Sequence, residues 1–519
     1  MGLQKLLLIL EQLPVGKMRL RSVCKLTTII FAAVSMFYNC GCSSIVDSRE
    51  QKRDIADAYV KGKLKSASDM VNEKSKSRKD SGDAVMWFLE SGLINFEAGK
   101  YQESLKHFEN AEAMLSEYDD RATVSVRDSG AEVGSAVTNL NAIPYRGFCY
   151  DRILLNVYKA MVYFAMHKPD AAGVELRRMR ETQKNIERKF SDEIEKARKE
   201  TEAANLKNKQ QTKDLAKKNP KVNPTVSFKS LLKNKDIRKA YIESGQKSEK
   251  AYGNFMNPFS TYMSAVGYLF DQDYNEANVD FRNLYRMNPN NPLTNRDYVT
   301  CARRIGAKVP KALKNIPSWK HSLDKNIVFV IFANGRGPAL KQVKIQLVLP
   351  FVGYTGIAFP VFEYFKRNIK RINLEADSQK YCTGQVVNMD NVVSQEYHER
   401  LPTMITRLVV SYLVKETASL IMVQSMKEHG DAAQFIAYGA TGVYKYLFNT
   451  ADTRCWESLP GEYQIVHFPI PKDRKVKIAL PGPEAKLQTI KISDKTNFSI
   501  IYIRGINDKV IAIKTIELK

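Results

Sequence analysis

Histidine, tryptophan and cysteine are scarce in this 519-residue chain, which carries six, three and seven of them. None of the histidines (His107, His167, His321, His398, His429, His467) stands in an H-E-x-x-H or other short metal-ligand spacing. No G-x-S-x-G nucleophile elbow occurs, and Gly335-Arg336-Gly337 lacks the rest of a P-loop or dinucleotide fingerprint. Cys149, Cys301, Cys382 and Cys455 lie far apart with no C-x-x-C, which excludes zinc-ribbon and redox motifs. Their pairing in an oxidising compartment stays open. No compact arginine-rich or aromatic-interleaved stretch marks a nucleic-acid reader. These gaps predict no metal, no cofactor and no nucleic acid, and they argue against an enzyme. The one acid–base pair left is Glu396 with Glu399, on one helical face, which would suit a cell-wall hydrolase.

What is present starts near the N-terminus. Residues 17–25 are basic, Leu26 to Tyr38 form an uncharged apolar run, and Asn39-Cys40-Gly41-Cys42-Ser43-Ser44 follow. Basic, apolar and small-residue parts in that order make a secretory signal. The run is shorter than the roughly 20 residues that span a bilayer. Gly41-Cys42 resembles a lipobox, which predicts cleavage before Cys42 and acylation there, although Asn39 stands where leucine is usual. Two acyl chains hold a protein stably on a membrane. Ser43 resembles the residue that sends such proteins to the outer membrane. Met18 is the better-placed start, because residues 1–17 add an apolar stretch a signal does not need.

Hydrophobic residues make up 44% and charged residues 26%, the balance of a folded body rather than a disordered chain. The net charge is +24, and residues 176–250 carry 22 Lys and Arg against 11 Asp and Glu. That segment reads first as a solvated helix face and second as a contact for acidic lipid or polysaccharide.

Residues 42–80 are polar and read as a tether. Helical periodicity starts near Asp83, and the spacing Tyr101, Ser104, Phe108, Ala111 resembles half of a tetratricopeptide repeat. Tyr268, Tyr274, Ala277, Phe281, Leu284 and Pro289 form a clearer copy, in which Ala277 admits a close helix and Phe281 fills the groove. Tyr163, Ala172, Leu176 and Met179 form a third. Stacked hairpins of this kind normally present a concave binding surface. Residues 120–147 read as a loop, and residues 173–217 as a long charged helix broken at Asn219-Pro220 and Asn223-Pro224. The predicted domains are a signal over 1–41, the tether, a helical repeat domain over 81–310 with a charged arm over about 173–250, and a mixed domain over 311–519. Strands are predicted at 326–333, 343–349, 463–468, 476–480, 487–492, 498–504 and 510–517, with a helix over 398–424 and a close-packed helix or loop over 435–448. The class is α+β, ending in an antiparallel sheet or sandwich.

Cys42, the segment Tyr145-Arg146-Gly147…Tyr150-Asp151, the hairpin at 262–289, and Asp452-Thr453-Arg454-Cys455-Trp456 together resemble an uncharacterised family of bacterial lipoproteins with tetratricopeptide-like repeats. The resemblance implies location and architecture and no reaction. Arg454 and Trp456 read as a joint between helices and strands, or as a surface site gripping an anion and stacking on a sugar. The functional expectation is an outer-membrane-anchored periplasmic scaffold or accessory of envelope assembly, meeting envelope proteins through its repeats. The alternatives are a peptidoglycan- or polysaccharide-acting enzyme and an export accessory for lipid or polysaccharide.

Overall fold

Ile327–Asn334 is an eight-residue apolar run without alternation, and every one of its residues is buried. Such a strand is covered on both faces. The computed structural model shows by what. It describes residues 48–124, 144–218, 232–253, 255–349, 353–427, 430, 433–434, 437–441, 449–481 and 486–519. All belong to one compact unit, 47–519, with its own core. The signal, Met18, Cys42, most of the 120–147 loop, the two Asn-Pro breaks and His429 lie outside the described residues.

The helices in chain order are α1 (Ser48–Val60), α2 (Leu64–Arg78), α3 (Ala84–Ala98), α4 (Tyr101–Val124), α5 (Cys149–Ala165), α6 (Pro169–Lys218), α7 (Lys235–Ser248), α8 (Pro258–Phe270), α9 (Tyr274–Met287) and α10 (Pro292–Arg304). Six strands follow: β1 (Ile327–Asn334), β2 (Ala339–Leu349), β3 (Gly353–Glu363), β4 (Asn373–Ala376), β5 (Gln379–Cys382) and β6 (Gly384–Asn388). After α11 (Met389–Lys427) come β7 (Glu462–Pro469), β8 (Lys475–Leu480), β9 (Lys486–Lys491), β10 (Phe498–Ile506) and β11 (Lys509–Leu518). The fold is α+β, helical first and strand-rich after.

The central sheet has the order β11-β10-β1-β7-β6, a second sheet runs β5-β4-β8-β9, and β2 and β3 form a hairpin. All pairs are antiparallel except β1 with β10, where Ile327 faces Phe498 and Asn334 faces Gly505 in parallel. Val328, Val330 and Phe332 of β1 pack with Ile501 and Ile503 on Leu374, Val476 and Ile478 of the second sheet. Ile327, Phe329 and Ile331, pointing the other way, join the core shared with the helices. One strand therefore separates two cores.

The three predicted hairpins are α3–α4, α5–α6 and α8–α9. Gly99 ends α3 in the left-handed conformation at φ 83°, where glycine carries no steric penalty. Phe108 lies over Gly92, so close that a Cβ there would come within 2.3 Å of its ring. Ala277, Phe281 and Leu284 are buried on α9 as the repeat pattern predicts.

Two expectations need correction. The polar stretch 42–80 contains α1 and α2, not a free tether, and Ile55, Tyr59, Ala67 and Val71 bury against the core. Their apolar residues are few but sit on one face, enough to dock short helices onto a preformed surface. The second correction concerns the repeat groove. The inner helices α3, α5 and α8 lie on the central sheet: Phe96 meets Tyr502 edge-on at 5.2 Å, the Tyr158 and Tyr463 hydroxyls are 2.7 Å apart, and Phe259 stacks on Tyr463 at 3.7 Å. The surface that stacked hairpins usually leave open is filled by the protein's own sheet. Nearly all of α3, from Ala84 to Glu97, is buried for this reason.

α6 runs for 50 residues, about 75 Å at 1.5 Å per residue. Its seam of Ala172, Leu176, Met179, Ile186 and Phe190 is buried, whereas Asp192, Glu195, Lys199, Glu202 and Leu206 are exposed. α7 returns along α11, with Lys247 paired to Asp390 at 3.1 Å and Tyr241 beside His398. Among the described residues, no helix is long and apolar enough to cross a membrane.

Candidate functional site

The two motif segments of the sequence meet at the start of α3. Tyr145 donates its amide to the Gly82 carbonyl at 2.7 Å, and its hydroxyl donates to Asp151 at 2.6 Å. Asp151 also accepts the Phe148 amide at 2.8 Å, closing the first turn of α5. Gly147 turns the chain at φ 71°, and Tyr150 stacks on Phe148 at 5.2 Å. The Arg146 carbonyl accepts from Arg152, which grips Asp119 with two nitrogens at 2.9 and 3.1 Å. Burial pushes the Asp151 carboxyl up to about 7, further than its hydrogen bonds pull it down.

Opposite lies the second motif. Arg454 reaches Asp452 at 2.7 Å and Asp83 at 3.1 Å, with its guanidinium 5.8 Å from the Tyr145 ring centre. Burial opposes its charge, but Asp452 and Asp83 more than offset this and hold the group above its ordinary range. Thr453 shares a hydrogen bond with Ser48 of α1 at 3.0 Å. Trp456 is buried between Phe108 and Tyr158, its indole N–H donating to Ser458 at 3.0 Å. Arg454 is 5% exposed and Trp456 1%, so neither presents a surface for an anion or a sugar. The segment is a joint, as the first of the two readings has it.

Asp83, Glu90 and Glu97 reveal the rule behind this joint. They stand seven residues apart, two helical turns, with Asp83 at the cap and the other two within a mostly apolar α3, and so share one face. Each meets a cation from a distant part of the chain. Asp83 takes Arg454. Glu90 takes Lys52 of α1 at 3.4 Å and accepts the backbone amides of Glu457 at 2.7 Å and Ser458 at 3.1 Å. Glu97 takes Arg504 of β10 at 3.2 Å, and the hydroxyls of Tyr59 and Tyr502 at 2.6 and 2.8 Å. Arg504, fully enclosed, spends its remaining donors on the carbonyls of Ala333, Gly335, Gly505 and Ser458. A buried charge of this kind is tolerable only when every donor is satisfied. The pocket beside Lys52, Glu90 and Arg336 measures about 30 Å³, room for water.

Sequence reasoning passed over a second cluster, because its members are 170 residues apart. Asp297 of α10 accepts from Tyr262 at 2.9 Å, from the Trp319 indole at 2.7 Å and from His467 Nε2 at 2.8 Å. With Nε2 protonated, His467 Nδ1 accepts from His321 Nε2 at 3.0 Å. A chain of hydrogen bonds thus runs from half-buried His321 to a buried carboxylate. Burial and the neighbouring His467 hold His321 down at about 4. The donors are strung in line rather than converging on a point. Among the described residues no group of His, Cys, Asp and Glu is arranged to hold a metal ion.

Glu396 accepts the Cys149 amide at 2.8 Å and pairs with Arg400, so the carboxylate singled out with Glu399 serves as a cap for α5. Cys149, Cys301 and Cys455 are buried and Cys382 is exposed. A scan against protein-family models finds no match, and neither does a search of the curated proteins. What the fold and the joint define is an α+β protein in which three buried carboxylates at the cap and along one face of α3 pair with α1 through Lys52, with the segment before β7 through Arg454, and with the central sheet through Arg504.

Proposed function

We propose that the chain is a lipoprotein anchored through Cys42 in the outer membrane, facing the periplasm and acting as a protein-binding scaffold or accessory in envelope assembly. The location rests on the order basic stretch, apolar run, Gly41-Cys42. The scaffold role rests on one observation: α6 continues beyond its buried seam at Phe190 with exposed side chains on the helix that follows. Since the inner faces of the hairpins are occupied, the partner surface moves from a repeat groove to the α6 arm and the outer helices. A helix of this length with an open flank suits recognition of another protein by a helical face.

The test combines a clickable palmitate label with crosslinking in intact Gram-negative cells, using Cys42→Ala as control. Label lost in the variant, together with an envelope protein crosslinked to the arm, is the expected result. Label-free protein, or crosslinks confined to the body, overturns the anchor or the arm respectively.

A further inference from the structure

The second sheet turns one face to the core and the other to solvent. Val476, Ile478 and Leu374 point inward, so by strand alternation Lys475 and Lys477 of β8 point outward. Pairing in register sets Lys475 opposite Lys491 of β9, Lys477 opposite Glu375 across one edge, and Glu375 opposite Lys380 across the next. The outward face therefore carries four lysines and one glutamate. Glu375 forms an ion pair with Lys477 at 2.8 Å. No carboxylate stands between Lys475 and Lys491, and like charges directly opposite on one face weaken a sheet. Asp377 and Asp473 cap the backbone amides of Lys472 and Lys475 at the adjoining turn, and Glu517 accepts the Ser493 amide beyond Lys491. In the same outward set lies Leu487, facing Ala479 in register and 63% exposed.

We infer that this face binds the surface of an anionic phospholipid bilayer. Lysine repulsion within a sheet is relieved by a surface of opposite charge, and clustered lysines bind acidic headgroups cumulatively. The leucine selects between anionic partners. A polyanionic glycan offers it nothing, whereas an interface accepts an apolar side chain among the headgroups, with lysine stems lying alongside. The face is also that of a four-stranded sheet, broad enough to lie on a membrane rather than wrap a single strand of polymer. The inference stands apart from acylation at Cys42, since it concerns a folded surface far along the chain.

The experiment uses residues 47–519, the compact unit without the acylation site, floated with vesicles of phosphatidylcholine alone or mixed with phosphatidylglycerol. Binding is expected only to the mixed vesicles, and weaker as salt rises. Changing Lys475, Lys477 and Lys491 together to Gln should weaken it at least about tenfold, with a cooperative melting transition retained. Leu487→Trp should show a blue-shifted emission on mixed vesicles and none on phosphatidylcholine. Three results overturn the proposal: no flotation with either vesicle, flotation unaffected by the triple change, or a Leu487→Trp emission that does not move. Flotation lost instead on changing Lys213, Lys217 and Lys218 to Gln also overturns it, and assigns the contact to α6.

Discussion

Arg454 stands between two carboxylates with 5% of its surface exposed, and its removal leaves both of them without a cation. Breaking a buried pair in this way costs about 3 kcal/mol or more. Arg454→Ala should lower the unfolding free energy obtained from a urea titration by that amount, and a change under about 1 kcal/mol would refute the joint. Asp151 and His321 give the protein opposite responses to acid. Asp151 is held near 7 when folded against an ordinary value of 3.8, so the folded state binds the extra proton between these limits. Its contribution is full at low pH and falls as pH rises from about 4 to about 7. His321 is held near 4 against 6.5, so the unfolded state binds the extra proton, and stability falls as pH drops through that window. Asp151→Asn should therefore remove a decline towards neutral pH, and His321→Gln a decline towards acid. Urea titrations at pH 4, 5.5 and 7 distinguish them, and parallel curves for all three proteins would sink both assignments.

At the level of elements, α3 sets the architecture. Asp83 at its cap, Glu90 and Glu97 recur every seventh residue among mostly apolar positions, so one helix serves both as core and as the acidic side of three ion pairs. Gly92 lets Phe108 close onto it, and Gly92→Ala should cost roughly 2 kcal/mol, by overpacking. Phe108→Leu in the same background should recover part of that loss, a coupling that a double-mutant cycle measures. Much at this scale was readable beforehand. The apolar run at 326–333 and the alternation at 476–480 and 498–504 lie within a residue of the ends of β1 and β8 or inside β10. Gly99 and Ala277 sit where a hairpin turn and a close helix approach require small residues. The acids of α3 escaped notice because each is separated from its cation by dozens to hundreds of residues, and periodicity reports a face without saying what lies against it. The same distance hid the parallel partner of β1 and the link from Asp297 to His321. α1 and α2 were missed because their sequences are mostly polar and take their helical stability from docking. Tyr145–Asp151 and Asp452–Trp456, read from the sequence as separate segments, meet in space, and the burial of Arg454 and Trp456 answers to the joint rather than to the surface site.

For the whole molecule, the boundary near residue 310 separates two textures but not two independent bodies. Phe96, Tyr158, Phe259 and Phe270 all rest on sheet residues, so a chain ending at 310 would expose a broad apolar surface. Residues 81–310 expressed alone should aggregate or melt without cooperativity, while 47–519 melts as one unit. A sharp, reversible transition for the fragment would show that the array stands without its sheet.

The pairing of β1 also orders events in time. Phe329 waits for His467 on one side and for Ile500 on the other, so the middle of the sheet closes only when the last strands have been synthesised. Contacts so remote along the chain make folding slow, and leave the finished helices with bare inner faces throughout translation. A ribosome that stops at residue 489 releases a polypeptide without β10 and β11, in which Phe96 of α3 and Phe270 of α8 lack their sheet partners, a product for proteases rather than a shortened version of the protein.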